Sequence, residues 1–161
     1  MKIDSVMTKD VVTLLQEDTI RSASLKMAEK NISGAPVLNG DGKLIGMLSE
    51  ADVLRSLKTT KKTLQMVFPS LSSIGVSFRE QLTEKEALEA YQDVENMTVK
   101  ELMTLDVVTV SSDDELRDAI SQMVAKGINR LPVVDKMGKV VGIITRGDIL
   151  RGIAQGSMNN L

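Results

Sequence analysis

Two short stretches of the sequence combine a hydroxyl side chain and a carboxylate at the spacing of one helical turn. Ser49 precedes Asp52 by three residues, and Thr145 precedes Asp148 in the same way. At a strand-to-helix junction such a pair predicts helix capping, because hydroxyl and carboxylate groups satisfy the N–H groups of the first turn. The same geometry suits a nucleotide. A helix N-terminus attracts phosphate, and a carboxylate can accept hydrogen bonds from a vicinal diol such as a ribose. Both interpretations stay open, and one residue can serve both roles.

The two stretches belong to an internal repeat. At an offset of 96 residues, residues 3–55 match residues 99–151 at about 20 of 53 positions. The matches include Met7-Thr8 with Met103-Thr104, and each Asp with an Arg three residues later. Copies of this length are too small to be stable alone, so we expect them to pack on each other with approximate two-fold symmetry.

The copies differ in the charges that lie nearest these stretches. Arg130 and Arg146 in the second copy correspond to Gly34 and Glu50 in the first. The arginines are either solvated surface charges or phosphate ligands, and the second interpretation predicts two unequal sites. Apolar residues nearby would form either the walls of a site or plain core; they are Met47, Ile143, Ile32, Ile128, Val12 and Val108.

The composition excludes several classes of function. The chain has 161 residues, no Cys, no His and a formal net charge of −2. Without Cys and His there are no disulfides, no thiol or Ser–His catalysis and no ordinary zinc sites. The charge provides no basic field for nucleic acid or membrane, and no apolar run approaches the roughly 20 residues of a membrane-spanning helix. The N-terminus carries no hydrophobic signal core, so we expect a cytoplasmic protein. Because the sequence has no His, no Cys and no metal-binding cluster, we expect no enzymatic activity.

Periodicity predicts the same elements in each copy: an opening turn, a strand, an amphipathic helix, two strands and a second helix. In the first copy the opening turn is Ile3–Met7 and the first strand is Val11–Leu14. The amphipathic helix is capped by Asp18, and its inward residues are Ile20, Ala23, Met27 and Ala28. The two strands that follow are Ala35–Leu38 and Lys43–Leu48, and the second helix begins near Asp52. In the second copy the opening turn is Val99–Met103, capped by Thr98 and Glu101, and the first strand is Val107–Val110. The amphipathic helix is capped by Asp113 or Asp114, and its inward residues are Leu116, Ala119, Ile120, Met123 and Val124. The two strands that follow are Leu131–Val134 and Lys139–Ile144, and the second helix begins near Asp148.

The predicted fold class is therefore α+β, with two β-α-β-β-α repeats. The predicted domain bounds are 1–57 and 98–155. Residues 58–97 form a partly helical connector, with a helix capped by Thr83 and with Ala87, Leu88 and Tyr91 facing inward. Residues 156–161 are predicted to be a mobile tail.

These features resemble a tandem pair of CBS domains, a Bateman module, of the stand-alone kind found in prokaryotes and especially in archaea. The resemblance rests on the opening MT-x-D-VVT, the strand I-x-x-x-PV and the closing G-h-h-[ST]-x-x-D, and it covers about 3–55 and 99–155. It implies a regulatory module that binds AMP, ADP, ATP or S-adenosylmethionine in the cleft between the repeats. It also implies a homodimer and a separate regulated partner, with no required cofactor and no catalysis.

The resemblance further implies two composite sites. One would combine Ser49 and Asp52 with Val108, Ile128, Asn129 and Arg130; the other would combine Thr145 and Asp148 with Val12, Ile32 and Ser33. In each, the Asp would hold the ribose, the hydroxyl residue the phosphate side and the apolar residues the adenine. Arg130 matches a position where the family often has a phosphate-binding basic residue, which favours the Asp52 site for a charged nucleotide, and Arg146 would assist the other. The alternative is a structural or oligomerisation module with no small-molecule ligand.

Overall fold

Each copy of the repeat forms a three-stranded sheet with helices. The computed structural model describes residues 1–56 and 84–159. The first copy contains a 3₁₀ turn at Ile3–Ser5, β1 at Leu14–Leu15, α1 at Ile20–Glu29, β2 at Gly34–Leu38, β3 at Leu44–Ser49 and α2 at Glu50–Ser56. Then follow α3 at Glu84–Glu95, α4 at Val99–Leu102, β4 at Val110–Ser111, α5 at Leu116–Lys126, β5 at Arg130–Val134, β6 at Val140–Thr145 and α6 at Arg146–Asn159.

The strand orders are the same in both sheets, β1-β2-β3 and β4-β5-β6. In the second sheet β4 runs parallel to β5, and β5 runs antiparallel to β6. The α+β fold class is confirmed. The two hairpins lie within one residue of their predicted bounds, but the predictions for the first strand of each copy are wrong. Only Val110 and Ser111 pair with β5, so the β-branched residues before them lie outside the ladder.

Polar turn residues close the hairpins as their chemistry predicts. The Asn39 side-chain oxygen accepts from the N–H groups of Asp41 and Lys43, both at 3.0 Å. Gly42 follows with φ +76°, a left-handed conformation that favours glycine. The second copy repeats the arrangement with Asp135 as the acceptor. Short-range chemistry of this kind fixes the register of each hairpin, and therefore the position of the residue with which β3 or β6 ends.

The predicted caps of the two amphipathic helices are wrong. The N-cap residues are Thr19, whose hydroxyl accepts from an N–H of the first turn, and Glu115. Asp18 instead accepts from the Leu15 N–H at 2.9 Å, and Asp114 accepts from the Ser111 N–H at 2.8 Å. These carboxylates close the turn between strand and helix. Their short side chains reach the N–H three residues back more readily than the helix that follows.

The inward faces of these helices follow the predicted spacing in part. Both helices bury the residues at i, i+3 and i+7, which are Ile20, Ala23 and Met27 in α1 and Leu116, Ala119 and Met123 in α5. Ala28 and Val124 were predicted to face inward and are exposed, and Ile120 is half-buried. The buried apolar face of each helix is therefore narrower than the face predicted from the sequence, and Val124 is an exposed apolar side chain.

The opening segment of each copy packs with the other copy. The described residues of the first compact unit fall within Met1–Thr13, Leu38–Gly46 and Leu105–Leu161, and those of the second within Leu14–Val37 and Met47–Thr104. In the first unit the Ile3 N–H donates to the Asp114 carbonyl at 3.0 Å. In the second unit the Val99 N–H donates to the Asp18 carbonyl at 2.8 Å. Each compact unit therefore contains the opening segment of the other copy. The predicted domain bounds, 1–57 and 98–155, instead keep each opening segment with its own copy.

Aliphatic side chains fill the core of each unit. The first unit buries Ile3, Val110, Leu116, Ala119, Met123, Leu131, Val133, Ile144 and Ile149 in one cluster. The second buries Leu14, Ile20, Ala23, Met27, Ala35, Val37, Leu48, Val94 and Val99. Because Leu48 and Ile144 are fully buried, the last residues of β3 and β6 are held rigidly where each hydroxyl–Asp stretch begins.

Helix α3 lies within the predicted connector, 58–97. Tyr91, predicted to face inward, is 41% exposed, and Val94 is buried. The first part of the predicted connector, 58–83, and with it the cap at Thr83, lies outside the described residues. At the other end of the chain, α6 continues to Asn159, past the predicted start of the tail.

Glu115 holds the opening segment of the first copy through charge. Its carboxylate lies 2.7 Å from the Lys2 ammonium and 2.9 Å from the N-terminal ammonium of Met1. The hydrogen bond from Lys2, followed by that from the N-terminus, lowers the pKa of Glu115 from 4.5 to about 2. A carboxyl group with a lowered folded-state pKa stabilises the fold above its ordinary pKa, and this contribution is lost as the pH falls towards the folded value.

We expect Glu115→Gln to lower the melting temperature slightly at neutral pH, and this difference should shrink as the pH falls from about 4.5 and vanish only below the folded-state pKa of about 2. The effect should shrink in high salt, because these charges are exposed. Thermal unfolding followed by circular dichroism across pH and salt measures it. Asp118→Asn, in the first turn of the helix that follows Glu115, is the control. The Asp118 Oδ1 atom lies 3.9 Å from Nε of Arg117, and both side chains are exposed. A pH-independent difference between wild type and Glu115→Gln would contradict the charge argument.

Candidate functional site

Asp148 is a buried carboxylate in the first turn of α6. Its exposed fraction is 2%. One oxygen, Oδ2, accepts from the Thr145 backbone N–H at 2.8 Å and from the Thr145 hydroxyl at 2.7 Å. The Asp148 N–H in turn donates to the Thr145 hydroxyl oxygen at 3.3 Å. The predicted capping interaction is therefore present, and it locks the side chain of Asp148 to the end of β6.

The other oxygen of Asp148, Oδ1, has one partner far away in the sequence and one in the same helix. It accepts from the Thr8 hydroxyl at 3.3 Å and forms an ion pair with Arg151, one helical turn later. Thr8 lies in the opening segment of the other copy, so this carboxylate joins the two copies within the first unit. A carboxylate has about four lone-pair positions, and the protein itself occupies all of those of Asp148.

Asp52 repeats this arrangement in the second unit. It is 6% exposed, and its Oδ2 accepts from the Ser49 N–H at 2.8 Å and from the Ser49 hydroxyl at 3.1 Å. Its Oδ1 accepts from the Thr104 hydroxyl at 3.0 Å and pairs with Arg55. Here Thr104 comes from the opening segment of the second copy. We call these groups the Asp148 cluster and the Asp52 cluster; each consists of the Asp, the hydroxyl residue three positions earlier, the Arg three positions later and the Thr of an opening segment.

Four members of the clusters were missed by the sequence-based site prediction: Thr8, Thr104, Arg55 and Arg151. The signal was present in the repeat, because both copies carry the Met-Thr pair and the Asp-x-x-Arg spacing. Arg at i+3 from Asp is a standard helical ion-pair spacing. The contact with Thr8 or Thr104 had no such local signal, since it joins residues 140 and 52 positions apart.

Further predicted site residues lie beside Asp148 in the first unit. Arg130 is the ladder partner of Thr145 across β5 and β6. The Arg146 N–H donates to the Asn129 carbonyl at 3.2 Å, and Ile143 exchanges two backbone hydrogen bonds of 2.9 Å with Thr8. Ile128 and Val108 pack against the core of this unit, and Val12 is half-buried in the same unit. The hairpin therefore places the backbone of Arg130 and Arg146 at the end of β6, where α6 with Asp148 begins.

The corresponding residues lie beside Asp52 in the second unit. The Glu50 N–H donates to the Ser33 carbonyl at 3.0 Å, and Met47 exchanges backbone hydrogen bonds of 3.0 and 2.8 Å with Thr104. Ile32 precedes Ser33 and is half-buried. The backbone contacts of the two clusters are thus alike, although the side chains at the positions of Arg146 and Glu50 have opposite charges.

The composite sites expected from the family resemblance group these residues differently. They join Asp52 to Val108, Ile128, Asn129 and Arg130, all of which belong to the first unit, and Asp148 to Ile32 and Ser33, which belong to the second. Those groupings stay predictions. Within a single unit, Arg130 and Asn129 accompany Asp148, and Ser33 accompanies Asp52.

Both clusters consist of groups that form hydrogen bonds and ion pairs. Each provides a buried carboxylate, hydroxyl groups and a guanidinium, which together hold or exchange hydrogen bonds. Within residues 1–56 and 84–159 there is no group of three or more His, Cys, Asp or Glu side chains placed to hold a metal ion. None of the helices described in those ranges is long and apolar enough to cross a membrane.

The fold and the duplicated cluster define a protein built from two homologous α+β repeats. Residues 3–59 and 99–155 match the family model of the CBS domain, so the chain belongs to the CBS-domain family and carries a pair of these domains. This confirms the resemblance noted in the sequence. Stand-alone CBS pairs are regulatory modules.

Known proteins extend the comparison. Protein MJ1426 of Methanocaldococcus jannaschii is 37% identical over 154 residues, which span 95% of this chain and 91% of that protein. The chain spans only 23% and 24% of two curated enzymes that it also matches.

Solved structures share the fold. CBSX2 of Arabidopsis thaliana in complex with AMP aligns with a TM-score of 0.70 at 24% identity, covering 97% of this chain and 98% of that one. The CBS domain pair of protein MJ0100, in complex with 5′-methylthioadenosine and S-adenosyl-L-methionine, aligns with a TM-score of 0.70 at 22% identity over 97% and 98% of the two chains. At these identities the likeness shows the fold alone.

Proposed function

We propose that the chain is a regulatory module that binds an adenosine compound at its Asp clusters and signals to a separate protein. The observation that carries the proposal is the duplicated cluster, in which a carboxylate less than 7% exposed is fixed by a hydroxyl residue at the end of a strand. A carboxylate fixed in this way is suited to the vicinal hydroxyls of a ribose. CBSX2 binds AMP, and the MJ0100 pair binds S-adenosyl-L-methionine and 5′-methylthioadenosine, which supports an adenosine ligand for this fold.

In this proposal the two oxygens of each carboxylate have different roles: one keeps the capping bonds and the other binds the ribose. Oδ2 retains the capping bonds to Thr145 or Ser49, which lie within the same strand-to-helix junction. Oδ1 exchanges its partners, the hydroxyl of Thr8 or Thr104 and an Arg of the same helix, for the two ribose hydroxyls. The Arg151 and Arg55 side chains are 65% and 59% exposed, so solvent can hydrate the released guanidinium while the ribose hydroxyls replace it on the buried carboxylate.

The exchange also supplies a signal. Thr8 and Thr104 belong to opening segments that pack with the other copy. A ribose that takes over Oδ1 releases one anchor of such a segment, so ligand occupancy and segment position become coupled. A partner protein that contacts the segment then senses the ligand as a change in its own affinity.

AMP, ADP, ATP and S-adenosylmethionine are the ligands we propose, without a required cofactor and without turnover. A homodimer is part of the proposal, because α1, α5 and α6 leave Leu25, Val124, Leu150 and Ile153 exposed, with Val124 at 77%. Sedimentation velocity over a range of protein concentrations tests the dimer.

We expect at least one of AMP, ADP, ATP, S-adenosylmethionine and NAD to bind saturably and to raise the melting temperature. A ligand at 100 times its Kd stabilises the fold by about 2.7 kcal/mol. Isothermal titration calorimetry on wild type, Asp52→Asn, Asp148→Asn and the double variant measures the binding. Each single variant should lose one site, and the double variant should bind at least tenfold more weakly. Asp118→Asn, an exposed carboxylate on α5, is the matched control.

A structural module without a small-molecule ligand is the second candidate. The filled hydrogen-bond positions of both carboxylates favour it, and no buried side-chain N or O atom of the described residues lacks a partner. Under this alternative no adenosine compound shifts the melting temperature, whereas both Asp variants still lower it. Wild-type affinity in the double variant, with folding retained, would exclude the ligand role of these residues.

A further inference from the structure

The sulfur of this protein is confined to methionine. The chain has ten Met and no Cys, so reversible oxidation of a sulfur side chain can occur only at a thioether, as methionine sulfoxide. A thioether in solvent gains an oxygen with little structural effect, whereas one packed against the core changes from an apolar to a polar group in place. The surroundings of each methionine therefore decide what its oxidation does.

Met7, in the opening segment of the first copy, lies directly on a glycine of β6. A Cβ built on Gly142 would lie 2.5 Å from Sδ, 3.1 Å from Cγ and 3.2 Å from Cε of Met7. The thioether therefore fills the space that a side chain at Gly142 would take. Met7 is half-buried and packs against the core of the first unit, whereas Gly142 is buried. We call this packing the Met7–Gly142 contact.

Backbone donors beside this contact are already bonded. The Met7 N–H donates to the Ile3 carbonyl at 2.9 Å, and Thr8 and Ile143 exchange two backbone hydrogen bonds of 2.9 Å. An oxygen added to Sδ of Met7 would have to compete with these bonds for a donor, and a polar group buried without a donor is unfavourable. The sulfoxide is therefore more stable in water than on Gly142.

Met7 also lies between two other anchors of the opening segment. A Cβ on Gly152 of α6 would lie 2.7 Å from Cγ1 of Val6, which shows how closely Val6 packs there. On the other side, the Thr8 hydroxyl donates to Asp148 at 3.3 Å. Three consecutive side chains thus hold the segment, and oxidation changes the polarity of the middle one.

We propose that Met7 is an oxidation site at which a peroxide releases the opening segment from β6. The Sδ lone pair attacks one oxygen of hydrogen peroxide, so that an S–O bond forms and the O–O bond breaks. The thioether is oxidised by two electrons and the peroxide is reduced. The proton on the attacked oxygen passes to the leaving hydroxide, which departs as water. The sulfoxide then turns to solvent, and the bonds between Thr8 and Ile143 open with it.

This oxidation gives the protein a redox input that requires no adenosine ligand. Because Thr8 follows Met7 directly and bonds to Asp148, release of the segment also frees an oxygen of that buried carboxylate. The redox state of Met7 and the hydrogen bonding of Asp148 are therefore coupled. Reduction of the sulfoxide by a methionine sulfoxide reductase reverses the change.

Graded treatment with hydrogen peroxide tests the proposal. Peptide mass spectrometry follows the sulfoxide at each methionine, and hydrogen exchange follows the Thr8 and Ile143 amides in the same samples. We expect exchange to rise with the oxidised fraction of Met7 and the melting temperature to fall by about 2–4 °C or more. Met137, 75% exposed, is the matched control. It should oxidise first and change neither quantity.

Variants separate Met7 from the other methionines. Met7→Leu keeps an apolar side chain of similar volume, so peroxide should leave its melting temperature and amide exchange nearly unchanged, whereas Met137→Leu should respond like wild type. Treatment of oxidised wild type with methionine sulfoxide reductase should restore the original melting temperature. An equal loss of melting temperature in oxidised wild type and oxidised Met7→Leu would overturn the proposal. A Met7 that stays reduced while Met137 is fully converted would overturn it too.

Gly142→Ala tests the contact itself. Its Cβ would displace the Met7 thioether, so Met7 should form sulfoxide faster than in wild type, at a rate closer to that of Met137. Gly147→Ala is the control, because a Cβ there makes only ordinary contacts and should leave the rate unchanged. Circular dichroism shows that each variant is folded. Equal rates of Met7 oxidation in Gly142→Ala, Gly147→Ala and wild type would mean that the contact does not protect Met7, and the proposal would be wrong.

Discussion

Asp148→Asn should lower the free energy of unfolding by about 2–3 kcal/mol, in the absence of any ligand. The side chain is 2% exposed, and its carboxylate accepts from the Thr145 N–H, the Thr145 hydroxyl, Thr8 and Arg151. An amide keeps the shape but replaces one acceptor oxygen with a donor. The amide nitrogen must then face either the Thr145 N–H or the Arg151 guanidinium, and a buried donor is left without a partner. Urea unfolding at neutral pH, with the m-value checked against wild type, gives the change.

Arg151→Gln is the control that separates the carboxylate from its ion pair. The Arg151 side chain is 65% exposed, so solvent screens its charge, and removing it should cost less than Asp148→Asn although the Asp148 partner is 2% exposed. Asp52→Asn provides the parallel measurement in the second unit, where the cluster is the same apart from Ser in place of Thr. Equal effects of Asp148→Asn and Arg151→Gln would mean that the capping bonds contribute little.

Local chemistry accounts for the part of the fold that the sequence predicts well. The hairpins could be placed within a residue because Asn39 and Gly42, and their counterparts, have turn functions that act over a few positions. The capping pair Thr145–Asp148 could be recognised for the same reason, since both partners lie within one helical turn.

Competition between short-range alternatives explains the helix caps. Asp18 could cap the helix that follows or close the turn that precedes it, and both require only a nearby N–H. The observed bond to the Leu15 N–H shows which one prevails. The outcome depends on the backbone path between β1 and α1, which no residue type encodes alone.

The packing of each opening segment with the other copy explains which contacts could not be predicted from the sequence. The repeat predicts that the copies pack together, yet nothing in it indicates that residues 1–13 join the unit formed by the second copy. The Thr8–Asp148 bond depends on this exchange. The site prediction therefore found the Asp and hydroxyl residues but not the Thr and Arg that share the other carboxylate oxygen.

Gly152→Ala should destabilise the protein by about 1–2 kcal/mol, although alanine is the better helix former. Gly152 is buried in α6, and a Cβ there would lie 2.7 Å from Cγ1 of Val6 in the opening segment. Val6 is β-branched and has few alternative rotamers, so the segment itself must move. Urea unfolding measures the loss, and calorimetry with an adenosine compound shows whether a displaced segment also alters binding, as expected if Thr8 shares Oδ1 of Asp148 with the ligand.

Gly147→Ala is the matched control in the same helix. A Cβ at Gly147 meets only Arg151 Nη1 at 3.5 Å and Thr145 Oγ1 at 3.7 Å, which are ordinary contacts. There the helix preference should prevail, and we expect a gain of up to about 1 kcal/mol. Val6→Ala should be less harmful in the Gly152→Ala background than in wild type, because it removes the clash. If Gly152→Ala is as stable as Gly147→Ala, or Val6→Ala costs the same in both backgrounds, the opening segment is not fixed by its contact with α6. Its movement would then be too easy for the release of Thr8 to carry a signal.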